Sequence, residues 1–162
     1  MTTILTTDKL KEMTAISAAV DVNLLQPFIE IAEEFYVKPV LGEDFYNDIV
    51  DSIEDGTLSG DILTLVNNYV YGTIAYYSWY EGLPMLYIRV EAKGLVKKFS
   101  DNSNAIDSND FKLLRQSILD KCVMLKTRLE KYLYNNKELF PLYEKTCEPQ
   151  GRSNSTGFFL KF

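Results

Sequence analysis

The sequence contains no histidine. That absence removes His-ligated zinc, Ser-His-Asp and Cys-His nucleophile systems, and imidazole acid–base work near neutral pH. Cysteine is scarce as well: Cys122 and Cys147 are the only two among 162 residues. Without C-x-x-C spacing they form neither a zinc site nor a dithiol redox motif, and free thiols in a reducing cytoplasm are expected. There is no run of 18 apolar residues, so no transmembrane helix is expected. The opening MTTILTTDKLKEM has neither a basic n-region nor a long apolar h-region and does not read as a secretory signal. No Walker A sequence, dinucleotide-binding glycine fingerprint or nucleophile elbow occurs. No metal, cofactor or catalytic residue is therefore expected, and the chain reads as a non-enzyme.

What is present suits a single globular domain: 46% hydrophobic, 25% charged and 13% aromatic residues. A chain of this length buries roughly 70% of its unfolded surface. The net charge of −6 conceals a division. Residues 1–81 hold 3 basic and 14 acidic side chains (net −11), and residues 82–162 hold 14 basic and 9 acidic (net +5). Such halves either pair within the chain, present complementary faces to other copies, or are two solvated helix faces that differ in composition.

The periodicity predicts a mainly α domain of about four to five helices with one β-hairpin and an extended C-terminal arm. Thr7 caps a short first helix from Asp8 to Met13. Asp21-Val22-Asn23 opens a second, in which Leu25, Phe28, Ile29, Ala32, Phe35 and Tyr36 form the apolar stripe and Glu30, Glu33 and Glu34 the solvated side. Lys38-Pro39 is expected to stop it. A third helix spans about Glu43–Ile53, closed by Asp55-Gly56. Ser59 starts a long helix to about Tyr80 with the stripe Ile62, Val66, Tyr69, Val70, Thr73, Ile74, Tyr77 and Tyr80. Gly72 within it suggests a close helix crossing, and Glu81-Gly82-Leu83-Pro84 is expected to end it. Residues 86–92 alternate apolar and polar, so a hairpin is expected over 86–99, turning at Lys93-Gly94. Asp107 or Ser108 caps a last helix to about Asn135, with Phe111, Leu114, Ile118, Cys122, Leu125, Leu129 and Leu133 on one face. Cys122 reads there as a small core residue.

Three groups of residues are candidates for function. The first is the C-terminal arm. Residues 148–156 have no apolar side chain larger than Pro149, and then Phe158, Phe159, Leu160 and Phe162 follow. Exposed, each would forgo roughly 1.5–3 kcal/mol of burial, so the readings are docking on the chain's own core, docking on another subunit, or a disordered end; the extended linker reaches about 30 Å. Phe140 and Tyr143 are grouped with them as partner-binding residues. The second is the basic cluster Arg89, Lys93, Lys97 and Lys98 around Gly94, which suits a phosphate contact or a solvated edge that discourages strand pairing. The third is the aromatic helix holding Tyr69, Tyr71, Tyr76, Tyr77, Trp79 and Tyr80, which is apolar on several sides and so is buried on several sides, either as a core helix whose Tyr hydroxyls reach the surface or with part of that burial between subunits. The acidic sets Glu33/Glu34 and Glu43, Asp44, Asp48 and Asp51 read as solvated faces rather than a metal or glycosidase site.

The order of elements carries a resemblance. An acidic amphipathic helix ends in Val40-Leu41-Gly42, and a short helix and a long aromatic helix follow. Then come Val90-Glu91-Ala92-Lys93-Gly94-Leu95-Val96, a polar loop, a long helix and Leu139-Phe140-Pro141-Leu142-Tyr143. This resembles the head–tail connector (adaptor) proteins of tailed bacteriophages, most of all the ring proteins of crAss-like phages, over most of residues 5–143. The resemblance implies a helical connector domain over 1–143 and an arm over 144–162. It also implies assembly as a homo-oligomeric ring, typically of twelve copies, beneath the portal protein and above adjacent tail rings in the virion, after synthesis in the bacterial host cytoplasm. DNA would pass through the channel without sequence-specific binding. Arg89, Lys93, Gly94, Lys97 and Lys98 would then sit in a loop facing the lumen or a partner, and the arm would fasten the ring to its neighbours. The alternative is a small nucleic-acid-binding helical module using the basic cluster at 89–98; tight, salt-sensitive binding of duplex DNA by the isolated chain distinguishes it.

Overall fold

The computed structural model describes residues 2–91, 94–97 and 107–143, with side chains for 2–86 and 107–143. The first helix, α1, is Thr7–Met13, capped by Thr6, whose hydroxyl accepts the Lys9 N–H at 3.3 Å. The cap is therefore one residue earlier than expected. α2 is Val22–Ala32 with Asp21 as its cap, the carboxylate accepting the Asn23 N–H at 2.9 Å. Pro27 lies inside this helix.

Lys38-Pro39 does not stop the helix as expected. The chain runs on through a π-helical turn, Glu33–Val37, into α3, Lys38–Leu41, where Pro39 sits at the second position. Gly42, at φ +89°, makes the break, in a region that glycine occupies without a Cβ penalty. α4 follows as Glu43–Glu54, and Gly56 at φ +66° turns the chain after it. The long helix begins at Gly60 behind Ser59: α5 is Gly60–Leu65, a second π-helical turn covers Val66–Val70, and α6 is Tyr71–Tyr87. α7 is Ser108–Asn135, capped by Asp107, whose carboxylate accepts the Ser108 N–H at 2.7 Å. A 3-10 turn, Lys137–Leu139, leads to the buried Phe140 and Tyr143.

The fold class needs correcting where a hairpin was expected over 86–99. Glu81-Gly82-Leu83-Pro84 does not end the long helix; Leu86 and Tyr87, which alternation assigned to a strand, are its last residues. Leu83 and Leu86, three residues apart, pack against the core, and that burial favours continuing a helix already formed over starting a strand. Among the described residues, extended, antiparallel backbone is confined to Ile88–Glu91 and Gly94–Lys97, with Ile88 opposite Lys97 and Glu91 opposite Gly94. No sheet layer enters the described core, so the architecture is a helical bundle and not a bundle with the hairpin as drawn. The expected turn at 92–93 and the residues 98–106 lie outside the described residues.

α6 is the central element, with α2 and α7 packed on it and α1 against both α6 and α2. Val66, Val70, Thr73, Ile74 and Tyr77 of the expected stripe are buried. From α7, Ile118, Cys122, Leu129 and Leu133 meet them, all at most 1% exposed, whereas Leu114 is 39% exposed and belongs to the surface. Each π turn carries a tyrosine that stacks face to face on a neighbouring helix. Tyr36 lies 3.9 Å from Tyr77 of α6, and Tyr69 lies 4.1 Å from Tyr132 of α7. The close approach anticipated at Gly72 falls instead at Gly82. A Cβ at Gly72 would be 3.9 Å from Leu125 and Met13, an ordinary contact, but one at Gly82 would come within 3.0 Å of the Phe28 ring.

Candidate functional site

The first π turn carries an exposed aromatic side chain beside a buried carboxylate. A π turn holds one more residue than an α turn, so side chains after it are rotated back by roughly one residue's step. Phe35, within this turn and read from sequence as part of the buried stripe, is 68% exposed, while Glu33, read as part of the solvated side, is 1% exposed, one i+4 step beyond the buried Ile29. The Glu33 carboxylate is held by short bonds. It accepts the Leu5 N–H at 2.9 Å and the Tyr46 hydroxyl at 2.7 Å. Burial pushes its pKa up, against the lowering effect of those hydrogen bonds. The same pair raises the Tyr46 phenol, first by burial and then by its bond to Glu33. These contacts fasten the N-terminal segment and α4 to the π turn; the role is structural.

Outside this anchor lies an apolar groove of about 500 Å³, lined by Thr3, Pro27, Ile31, Phe35 and Tyr46, with Glu30, Glu34 and Lys38 along it. Lys38 is 3.4 Å from both Glu34 and Glu43, which join the groove to the acidic surface of α4. Glu30 accepts a hydrogen bond from the Gln26 amide at 3.2 Å. Between Val22 and Glu54 the chain has eight acidic side chains and one lysine. Among the described residues no group of three or more histidine, cysteine or acidic side chains is arranged to hold a metal ion.

A second groove, of about 480 Å³, runs along α7. The described residues lining it all come from that one helix, chiefly Gln116, Leu119, Val123, Met124, Thr127 and Lys131. Their spacing is that of a single helical face, turned away from the buried stripe Ile118, Cys122, Leu129 and Leu133. Met124 is 56% exposed, and Leu113, one turn before the groove, is 69% exposed. Asp120 lies in this groove, accepting from the Gln116 amide at 2.8 Å, as does Arg128. α7 carries six basic and three acidic side chains. Arg115 lies 4.5 Å above the Tyr80 ring, and its Nε–H is buried without a hydrogen-bond partner among the described residues.

The residues singled out from sequence fall in different places. Phe140 and Tyr143 are 1% and 6% exposed; Phe140 packs 5.6 Å from Phe45 of α4 and 6.1 Å from Tyr132, so both belong to this chain's own core. Phe158, Phe159, Leu160 and Phe162 lie outside the described residues, as do Lys93 and Lys98. Arg89, Gly94 and Lys97 are on the short paired segments. Phe35 and the α7 groove were missed. A π turn leaves no plain signature in sequence, and the second apolar stripe of α7 (Leu119, Val123, Met124) is masked by the longer one beside it.

No described helix is long and apolar enough to cross a membrane. No curated protein and no solved structure matches the chain. Residues 37–153, from the end of the first π turn through α7 and beyond, match the family DUF6712, and the chain therefore belongs to that family, one of unknown function.

Proposed function

We propose that the protein is a non-enzymatic structural subunit that assembles head to tail, in the manner of the connector rings that join portal to tail in bacteriophage virions. The observation that carries this reading is that one compact subunit presents two grooves of different charge. One is bordered by the acidic α2–α4 region, the other lies on the predominantly basic α7. Opposite charges on distinct patches favour heterologous contacts, which close into rings when the rotation per subunit allows it. The resemblance in element order adds the ring, the central DNA channel and the neighbours above and below. In this reading Phe158, Phe159, Leu160 and Phe162 are anchors that fasten the ring to its partners, since buried aromatic groups supply most of the affinity at such contacts. The residues around Lys93-Gly94, with Arg89, Lys97 and Lys98, face the lumen or a partner.

The test is the mass of the full chain in solution across concentration, repeated after deletion of residues 157–162. A large closed oligomer, impaired but not unfolded by the deletion, supports the proposal. A compact particle of 18.6 kDa at every concentration overturns it. Unfolding on deletion would reassign the arm to the core.

A further inference from the structure

Phe35 and the groove of α7 are complementary in polarity and charge, and neither is covered by any of the described residues. Phe35 stands 68% exposed beside Glu30 and Glu34. The α7 groove offers an apolar floor of Leu119, Val123 and Met124 in about 480 Å³, ample for a phenyl ring, with Arg128 and Lys131 at one end. We infer that Phe35 of one copy inserts into the α7 groove of a second copy, with the Glu30 and Glu34 carboxylates set against Arg128 and Lys131. This rests on the head-to-tail reading above and names its interface.

The charge pattern selects this pairing over its rivals. A twofold contact of the Phe35 patch with itself would oppose Glu30 and Glu34 to their own copies, and a twofold contact of the α7 groove would oppose Arg128 and Lys131 to theirs; like charges facing each other count against both. Lys38 does not reverse the sign of the first patch, because it is shared between Glu34 and Glu43. Asp120 does not reverse that of the second, since it is held by Gln116 and is one carboxylate among the groove's cations. A knob on one patch and its hole on another leave a free knob and a free hole after each contact, so the chain propagates until it closes.

The experiment uses the full-length chain and two exposed substitutions, Phe35→Asp and Met124→Asp, neither of which opens a core cavity. Each variant alone is expected to lose self-association, with at least a tenfold rise in dissociation constant. Mixed in equal amounts, one intact knob and one intact hole remain, so the mixture is expected to form a two-chain complex and nothing larger. The charge reversal Glu34→Lys is expected to weaken assembly and Lys131→Glu in the same chain to restore it. A Phe35→Asp chain that assembles like the wild type overturns this interface and leaves the head-to-tail reading standing. Mixed variants that stay apart also overturn it. A wild-type chain that never associates overturns both.

Discussion

Glu33 shows how much one side chain depends on its surroundings. Its two oxygens satisfy a backbone N–H from the N-terminal segment and a phenol from α4. Glu33→Ala orphans both donors, at about 1–3 kcal/mol each, and is expected to lower the urea midpoint correspondingly. The pH dependence follows from the direction of the shift. Burial holds the folded pKa above the ordinary carboxylate value, so between the unfolded and folded values the native state holds the extra proton. Stability is then greatest below the unfolded pKa and falls as pH rises through the folded one. Glu33→Gln is expected to flatten that fall in a pH series of denaturant melts. Cys122 is a simpler case: burial pushes its thiol up to about 12. The native chain should show no Cys122 modification by iodoacetamide at pH 8, and labelling should appear only with denaturant, read by mass spectrometry of the α7 peptide.

At the scale of elements, the two glycines of α6 make opposite predictions. Alanine at Gly72 meets only ordinary contacts from Leu125 and Met13, so the helix-propensity gain of about 0.5–1 kcal/mol should be realised in full. At Gly82 the new methyl group must displace the Phe28 ring, and Gly82→Ala is expected to return less than Gly72→Ala in the same thermal melt. The cap of α7 is a third case. Asp107→Ala removes the acceptor for the Ser108 N–H and should cost about 1 kcal/mol. The two π turns also belong to this scale. Each interrupts a long helix where a tyrosine must face a neighbour squarely, Tyr36 on Tyr77 and Tyr69 on Tyr132. The bond from the Tyr36 hydroxyl to Glu81 locks the first of these pairs.

For the whole molecule, the division of charge has an expected consequence in solution. If the acidic patch of one copy meets the basic patch of the next, association should weaken as sodium chloride is raised from 50 to 500 mM, because exposed pairs are screened over a Debye length that shrinks from roughly 14 Å to about 4 Å. Sedimentation velocity across that series is the check, and assembly indifferent to salt would assign the contacts to apolar surface alone.

The sequence by itself determined the helices and most of their limits. Asp21, Ser59 and Asp107 mark starts because short polar side chains suit N-cap positions, and Gly56 marks an end because the chain there needs positive φ, whereas Lys38-Pro39 misplaced the end that Gly42 makes. The core face of α7 was equally legible, since Ile118, Cys122, Leu129 and Leu133 follow a period that persists over about four turns. Local alternation misread Leu86 and Tyr87, because Leu83 and Leu86 gain burial by staying helical, a contact made with residues distant in the chain. Only tertiary structure decided the fates of Glu33 and Phe35. Glu33 stands one i+4 step beyond the buried Ile29, where a carboxylate is tolerated because the distant Leu5 and Tyr46 supply donors, and Phe35 lies within a π turn packed against α6, where the α period no longer holds. The candidate interface was illegible for the second of these reasons: its knob lies in that turn, and its hole exists because α7 finds a partner for one of its apolar stripes and none within the described residues for the other.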